Sequence, residues 1–146
     1  MTLVLSTGAL ALVVGASLSA AAAVAHLVCI PIGAPAYRFM GAGERLAHAA
    51  EAGRLRPTLV TLAIAGVLFL WSAYALSGAG VISKLPTTRL ALALISAIYL
   101  ARAVGFPLLK PKFPDNTNTF WWISSSICGV IGLVHLYGTV LVWPTL

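Results

Sequence analysis

Apolar residues run along this chain in four long stretches separated by short polar segments. No Asp, Glu, Lys or Arg occurs from Met1 to Tyr37, from Pro57 to Ser83, or from Asn116 to Leu146. A helix needs roughly 20 apolar residues to cross a hydrocarbon core of about 30 Å, and each stretch is long enough. The pattern predicts spans over 3–30, 57–77, 87–106 and 119–142. Arg89 and Arg102 shorten the charge-free part of the third. It crosses only with both arginines near its ends, their heads extended to the interfaces.

Proline placement supports these boundaries. Pro31 and Pro35 follow the first span, and Pro57 and Pro86 stand at or just before helix starts, where a missing N–H costs little. Pro107, Pro111 and Pro114 fill the last loop, Pro144 closes the fourth span, and no proline is expected in a span's middle. In the first loop, GAGERLAHAAEAGR carries a helix-forming segment bracketed by Gly43 and Gly53. The expected fold is all-α: one integral membrane four-helix bundle over 1–146, with short connecting loops and one short interfacial helix after the first span.

Composition agrees. The chain is 60% hydrophobic and 8% charged, whereas a soluble domain carries about 25% charged residues. That excludes a soluble enzyme, a disordered chain and a disulfide scaffold. The net charge of +6 is distributed by side. Arg38, Arg45, Arg54, Arg56, Lys110 and Lys112, with Arg102 close by, fall on one side of the membrane, and Lys84 and Arg89 on the other. The excess belongs on the cytoplasmic face, beside anionic headgroups, which puts both termini on the periplasmic side. The charge therefore calls for membrane lipids as partners and not for nucleic acid. Tyr37, Phe106, Phe120, Trp121 and Trp122 form one expected aromatic belt; Trp71, Tyr74 and Trp143 form the other. The first span lacks the basic n-region of a secretory signal and is too long for one, so it reads as a retained span.

Small residues mark the packing faces. Ala11, Gly15, Ser19 and Ala23 recur every fourth position in the first span; Ser124, Cys128 and Gly132, and also Ser125 and Gly129, do so in the fourth. Such spacing lets backbones approach closely. The faces serve either packing within the bundle or a seam between copies, and spacing alone does not separate the two.

Few residues carry candidate chemistry. The chain has no phosphate-binding glycine loop and no HExxH. Cys29 and Cys128 differ in expected depth by about 10 Å, too far for a disulfide, and are read as reduced and inert. His26 and His135 differ by about 15 Å, which does not suit two axial ligands of one haem. His135 shares a helix face with Ser124 and Cys128, an expected interhelical hydrogen-bonding stripe. Glu44, His48 and Glu51 share one helix face, a carboxylate–imidazole–carboxylate set of the kind that binds divalent metals. Here it stands on a single helix flanked by Arg45 and Arg54, so a salt-bridged interfacial helix is the expected role. No cofactor is expected. Arg102 is the strongest pointer, because an ionisable residue inside a span needs a partner or a purpose. Ser96 and Tyr99 precede it on one stripe, and His26, Tyr37, Arg38, Glu44 and Trp121 are expected at its depth. These residues outline a cytoplasm-facing pocket in which Glu44 neutralises Arg102, with simple snorkelling of Arg102 as the competing reading.

At PAYRFMGAGE, followed by GRLRPTLVTL, the chain resembles a group of small four-span proteins of Gram-negative bacteria, over most of its length. The resemblance implies bacterial origin and inner-membrane residence, and it transfers no catalytic residue. Two functions are consistent with the sequence. One is a protein that binds a lipid-like amphiphile or a partner helix in the cytoplasm-facing pocket. The other is a small enzyme acting on a lipidic substrate, with His26 or Glu44 as acid–base and Arg102 anchoring the headgroup. The missing nucleophile motif and the scarcity of acids favour the first.

Overall fold

The structure, a computed structural model, describes residues 5–146. It is all-helical, with no strand among the described residues. Four long helices, α1 (Thr7–Ile32), α4 (Leu55–Gly78), α5 (Thr88–Val104) and α7 (Asn118–Val142), form the bundle. Three short ones lie between them: α2 (Ala34–Phe39), α3 (Glu44–Glu51) and α6 (Phe106–Leu109). Consecutive long helices run antiparallel. α1 packs along α4 and α7, and α5 packs along α7 and α4, which closes a ring.

The caps explain most boundaries. Ser6 accepts from the Ala9 N–H at the start of α1, and Thr117 accepts from the Phe120 N–H at the start of α7. α1 runs past the expected end at residue 30 and takes Pro31 into its last turn. Proline's fixed φ is itself helical, so the cost there is one backbone bond rather than a break. Gly33, at φ 79°, then ends the helix while its N–H bonds the Cys29 carbonyl. The expected start of the first span, residues 3 and 4, lies outside the described residues.

Two loops are more ordered than expected. Pro35, read from sequence as a breaker, occupies the first turn of α2, where its fixed φ favours helix initiation. The third span stops at Val104 instead of Phe106, because Pro107 has no N–H to continue the ladder. The chain then bends by 67° at Gly105 into α6 and a short 3-10 turn, Lys110–Lys112.

α1, α4 and α7 are each long and apolar enough to cross a membrane. α5 has 17 residues, about 26 Å of helix, and reaches span length only together with its bent continuation.

The bundle exposes large apolar side chains on its outside as well as burying some in its core. Leu10, Val24, Leu62, Leu94, Ile127 and Leu133 are exposed, and the interior holds the small or polar Ala16, Ser19, Thr61, Ala65, Ser96 and Thr139 beside Leu12, Leu92 and Ile95. Gly132 of α7 sits against Leu100 and Tyr99 of α5, and Gly138 sits against Leu12 and the Gly8 carbonyl of α1. Of the stripes read from sequence, Gly15, Ser19, Ala23 and Ser125 are buried, and Ala11 and Gly129 are half-buried. They are used inside this chain, where small side chains allow helices to meet without a hydrophobic driving force.

Candidate functional site

The end of the bundle where α1 leads into α2 carries most of the charged residues, and the pocket expected there divides into three separate arrangements.

The outermost is a cap made by α2 and α3. Arg38, at the end of α2, donates from Nε to both oxygens of Glu44, at 2.9 and 3.1 Å. Its Nη1 lies 2.9 Å from Glu51. His48 stands between the two carboxylates, with Nε2 3.4 Å from Glu44 and Nδ1 3.0 Å from Glu51. The expected helix face is therefore real, but both of its carboxylates are engaged by the Arg38 guanidinium. Among the described residues no three His, Cys, Asp or Glu side chains are arranged to hold a metal ion. Hydrogen bonds from Arg38 hold both carboxyls below their ordinary value of 4.5, with a further bond from His48 at Glu51.

This cluster corrects the expected Glu44–Arg102 pair. Gly41 and Gly43 do let the loop turn, both at positive φ. Glu44 nevertheless opens α3 within reach of Arg38, one short loop away, and a carboxylate committed there is not at the end of α5. Arg102 instead lies across the groove between α5 and α7. Its Nη2 donates to Ser124 Oγ at 3.1 Å and its Nη1 approaches Ser125 Oγ at 3.4 Å. Its guanidinium carbon is 5.3 Å from the centre of the Trp121 ring, a cation–π placement. Trp121 is buried, braced by Phe113 and Phe120, and its indole N–H has no partner among the described residues. Asn116 ties the same loop to the cap by donating to the Gly41 carbonyl at 3.0 Å. No carboxylate lies within ion-pair distance of Arg102 among the described residues.

The second arrangement is a cavity of about 150 Å³ beneath the cap, between α1, α2 and α4. His26, Cys29, Tyr37, Met40 and Thr61 contribute to its wall, the remainder being aliphatic. Thr61 Oγ1 lies 2.8 Å from the Pro57 carbonyl and 3.2 Å from Tyr37 Oη. Its one proton serves the carbonyl, so the Tyr37 phenol supplies the other bond. His26 and Arg102 thus belong to different helix pairs and do not share a pocket.

The third is a crossing at the bundle's centre. The Tyr99 hydroxyl is 2.9 Å from Ser19 Oγ of α1. Its ring meets Trp71 of α4 edge-on at 5.1 Å and stacks on His135 of α7 at 5.5 Å. All four long helices meet at this one side chain. Tyr99 therefore points into the core, where its partners are Ser19, Trp71 and His135 and not Arg102, and Trp71, assigned to an aromatic belt from sequence, packs inward. His135 is fully enclosed, with Nδ1 2.9 Å from the Ile131 carbonyl, and Nε2 lacks a partner among the described residues. Ser124 and Cys128, expected on its stripe, lie nearer Arg102. The sequence offered no signal for this crossing beyond the residues themselves, because helix rotation decides which of them meet.

The fold and these sites define an all-helical membrane protein with a cation-bearing groove near one end. Comparison with protein-family models, curated proteins and solved structures finds no match.

Proposed function

We propose that the protein is a multi-pass inner-membrane protein of bacterial origin that binds an anionic amphiphile in the α5–α7 groove, with Arg102 holding the headgroup. One observation carries this reading. Arg102 stands near the end of a span with two neutral hydroxyls and an indole face as its neighbours, while Glu44 and Glu51 are engaged by Arg38. A partly desolvated cation without a counter-charge is unfavourable, and a phosphate or carboxylate headgroup supplies that charge. The exposed apolar side chains of α5 and α7, such as Ile98 and Ile127, offer the acyl chains a surface continuous with the bilayer. The basic cap and last loop lie at the same end, which by the distribution of Lys and Arg faces the cytoplasm.

Native mass spectrometry of the protein in mild detergent tests this reading, with phosphatidylglycerol and phosphatidylcholine as competing lipids. Wild type should retain phosphatidylglycerol preferentially. Arg102→Gln should weaken that retention by about tenfold or more, the worth of a charge-assisted bond, and Arg89→Gln should not. Equal retention by Arg102→Gln, or equal uptake of both lipids, would sink the proposal.

A further inference from the structure

The cavity beneath the cap gathers three side chains that the groove does not use. His26 and Cys29 are three residues apart on α1, so they sit on one helix face. Met40 comes in from the C-terminus of α2. All three line the same cavity of about 150 Å³, and no Asp or Glu does.

Each donor is prepared by its surroundings. His26 Nδ1 lies 2.7 Å from the Ala22 carbonyl. A carbonyl only accepts, so Nδ1 carries a proton, and in the neutral ring Nε2 is the nitrogen with the free lone pair. Histidines that bind metals are commonly oriented this way, by a bond from the other ring nitrogen to a backbone oxygen. Cys29 is 3% exposed and directs its thiol at the Ala25 carbonyl over 3.5 Å, a weak bond that is readily given up. The Met40 thioether is a soft donor on a flexible stem.

We infer that His26, Cys29 and Met40 form a binding site for a soft monovalent cation, Cu(I). Ligand softness selects the metal: imidazole, thiolate and thioether without carboxylate suit Cu(I) and do not suit Ca²⁺ or Mg²⁺. Charge separates Cu(I) from zinc. Cu(I) exchanges for the Cys29 proton, which leaves to solvent, and forms one Cu–thiolate bond beside dative bonds from the Met40 sulfur and the His26 nitrogen, with no change of oxidation state. The product, Cu⁺ with one thiolate and two neutral donors, has no net charge. Zn²⁺ in the same place would leave one uncompensated positive charge in an apolar wall, which is costly. This site departs from the sequence reading, which expected no cofactor and an inert Cys29. It is independent of the lipid proposal, since Arg102 lies on the other helix pair.

The test is an anaerobic titration of the purified protein in detergent against the Cu(I)–bicinchoninate complex, whose absorbance falls as metal is withdrawn. Wild type should take up one Cu(I) per chain, and X-ray absorption should show both sulfur and nitrogen ligands. Cys29→Ser should abolish uptake and Cys128→Ser should leave it intact. Met40→Leu nearly preserves side-chain volume, so its melting temperature should match wild type while its Cu(I) affinity falls about tenfold or more. Three outcomes would overturn the site: no uptake by wild type, wild-type affinity in Met40→Leu, or tighter binding of Zn²⁺ than of Cu(I).

Discussion

At the scale of single residues, Gly15 marks a close approach between α1 and α7. A Cβ built there would lie 2.8 Å from His135 Cε1 and 2.9 Å from Nδ1. The imidazole cannot retreat, because it is fully enclosed and stacked on Tyr99. Gly66, in the middle of α4, offers a matched control, since nothing lies within 4 Å of its would-be Cβ. Gly15→Ala should destabilise by about 1–3 kcal/mol through overpacking. Gly66→Ala should be neutral or stabilise by up to about 1 kcal/mol through helix propensity. Reversible unfolding in mixed detergent measures both, and similar values for the two would mean that the α1–α7 approach is looser than described.

Among the elements, the cap formed by α2 and α3 is the one whose stability depends on charge. Its apolar side joins Cys29, Ala34, Tyr37 and Ala47 in one small cluster, and its polar side is the Arg38–Glu44–Glu51–His48 network. Both carboxyls titrate below their ordinary value in the folded cap. Their contribution is therefore present above that value and lost as pH falls through the lowered one. Cys29 lies under the cap and reports its opening. In a Cys128→Ser background, modification of Cys29 by a pyridyl disulfide, normalised to unfolded protein at each pH, should accelerate as pH drops from about 6 to about 3. Arg38→Gln should raise the rate at the upper end and flatten the profile. A pH-independent rate in wild type would mean that apolar packing alone holds the cap.

For the whole molecule, the arrangement of charge and apolar surface makes one further statement. Large apolar side chains cover the outside, while the inside mixes Leu12, Leu92 and Ile95 with alanines, serines, threonines and His135. This distribution suits lipid as the solvent, because packing and buried polar contacts replace the hydrophobic effect as the cohesion between helices. With the basic cap and last loop at one end, the proposed orientation leaves both termini periplasmic. Alkaline phosphatase fused to either terminus should be active, and a fluorescent protein in the same places should be dark. A fluorescent C-terminal fusion would reverse the assignment of sides.

The four long helices and the α3 segment were legible in the sequence because each depends on a one-dimensional property. Charge-free length sets a span, and paired glycines with proline positions set where it stops. α2 was missed because Pro35 begins a helix as readily as it ends one, and only the chain's course decides which. The site was legible in its members but not in its pairings. Arg102, Trp121, His26, Tyr37, Arg38, Glu44 and Tyr99 could all be singled out as polar or aromatic residues near membrane depth. Which of them meet depends on helix rotation and on where the α2–α3 loop closes, and neither leaves a periodic trace. Tertiary structure alone gave Glu44 to Arg38, turned Tyr99 inward onto Ser19, and brought Met40 to the cavity shared by His26 and Cys29. The physical reason is one of range: hydropathy acts along the chain, whereas a hydrogen bond or a metal site requires atoms within about 3 Å, which only the packed bundle brings together.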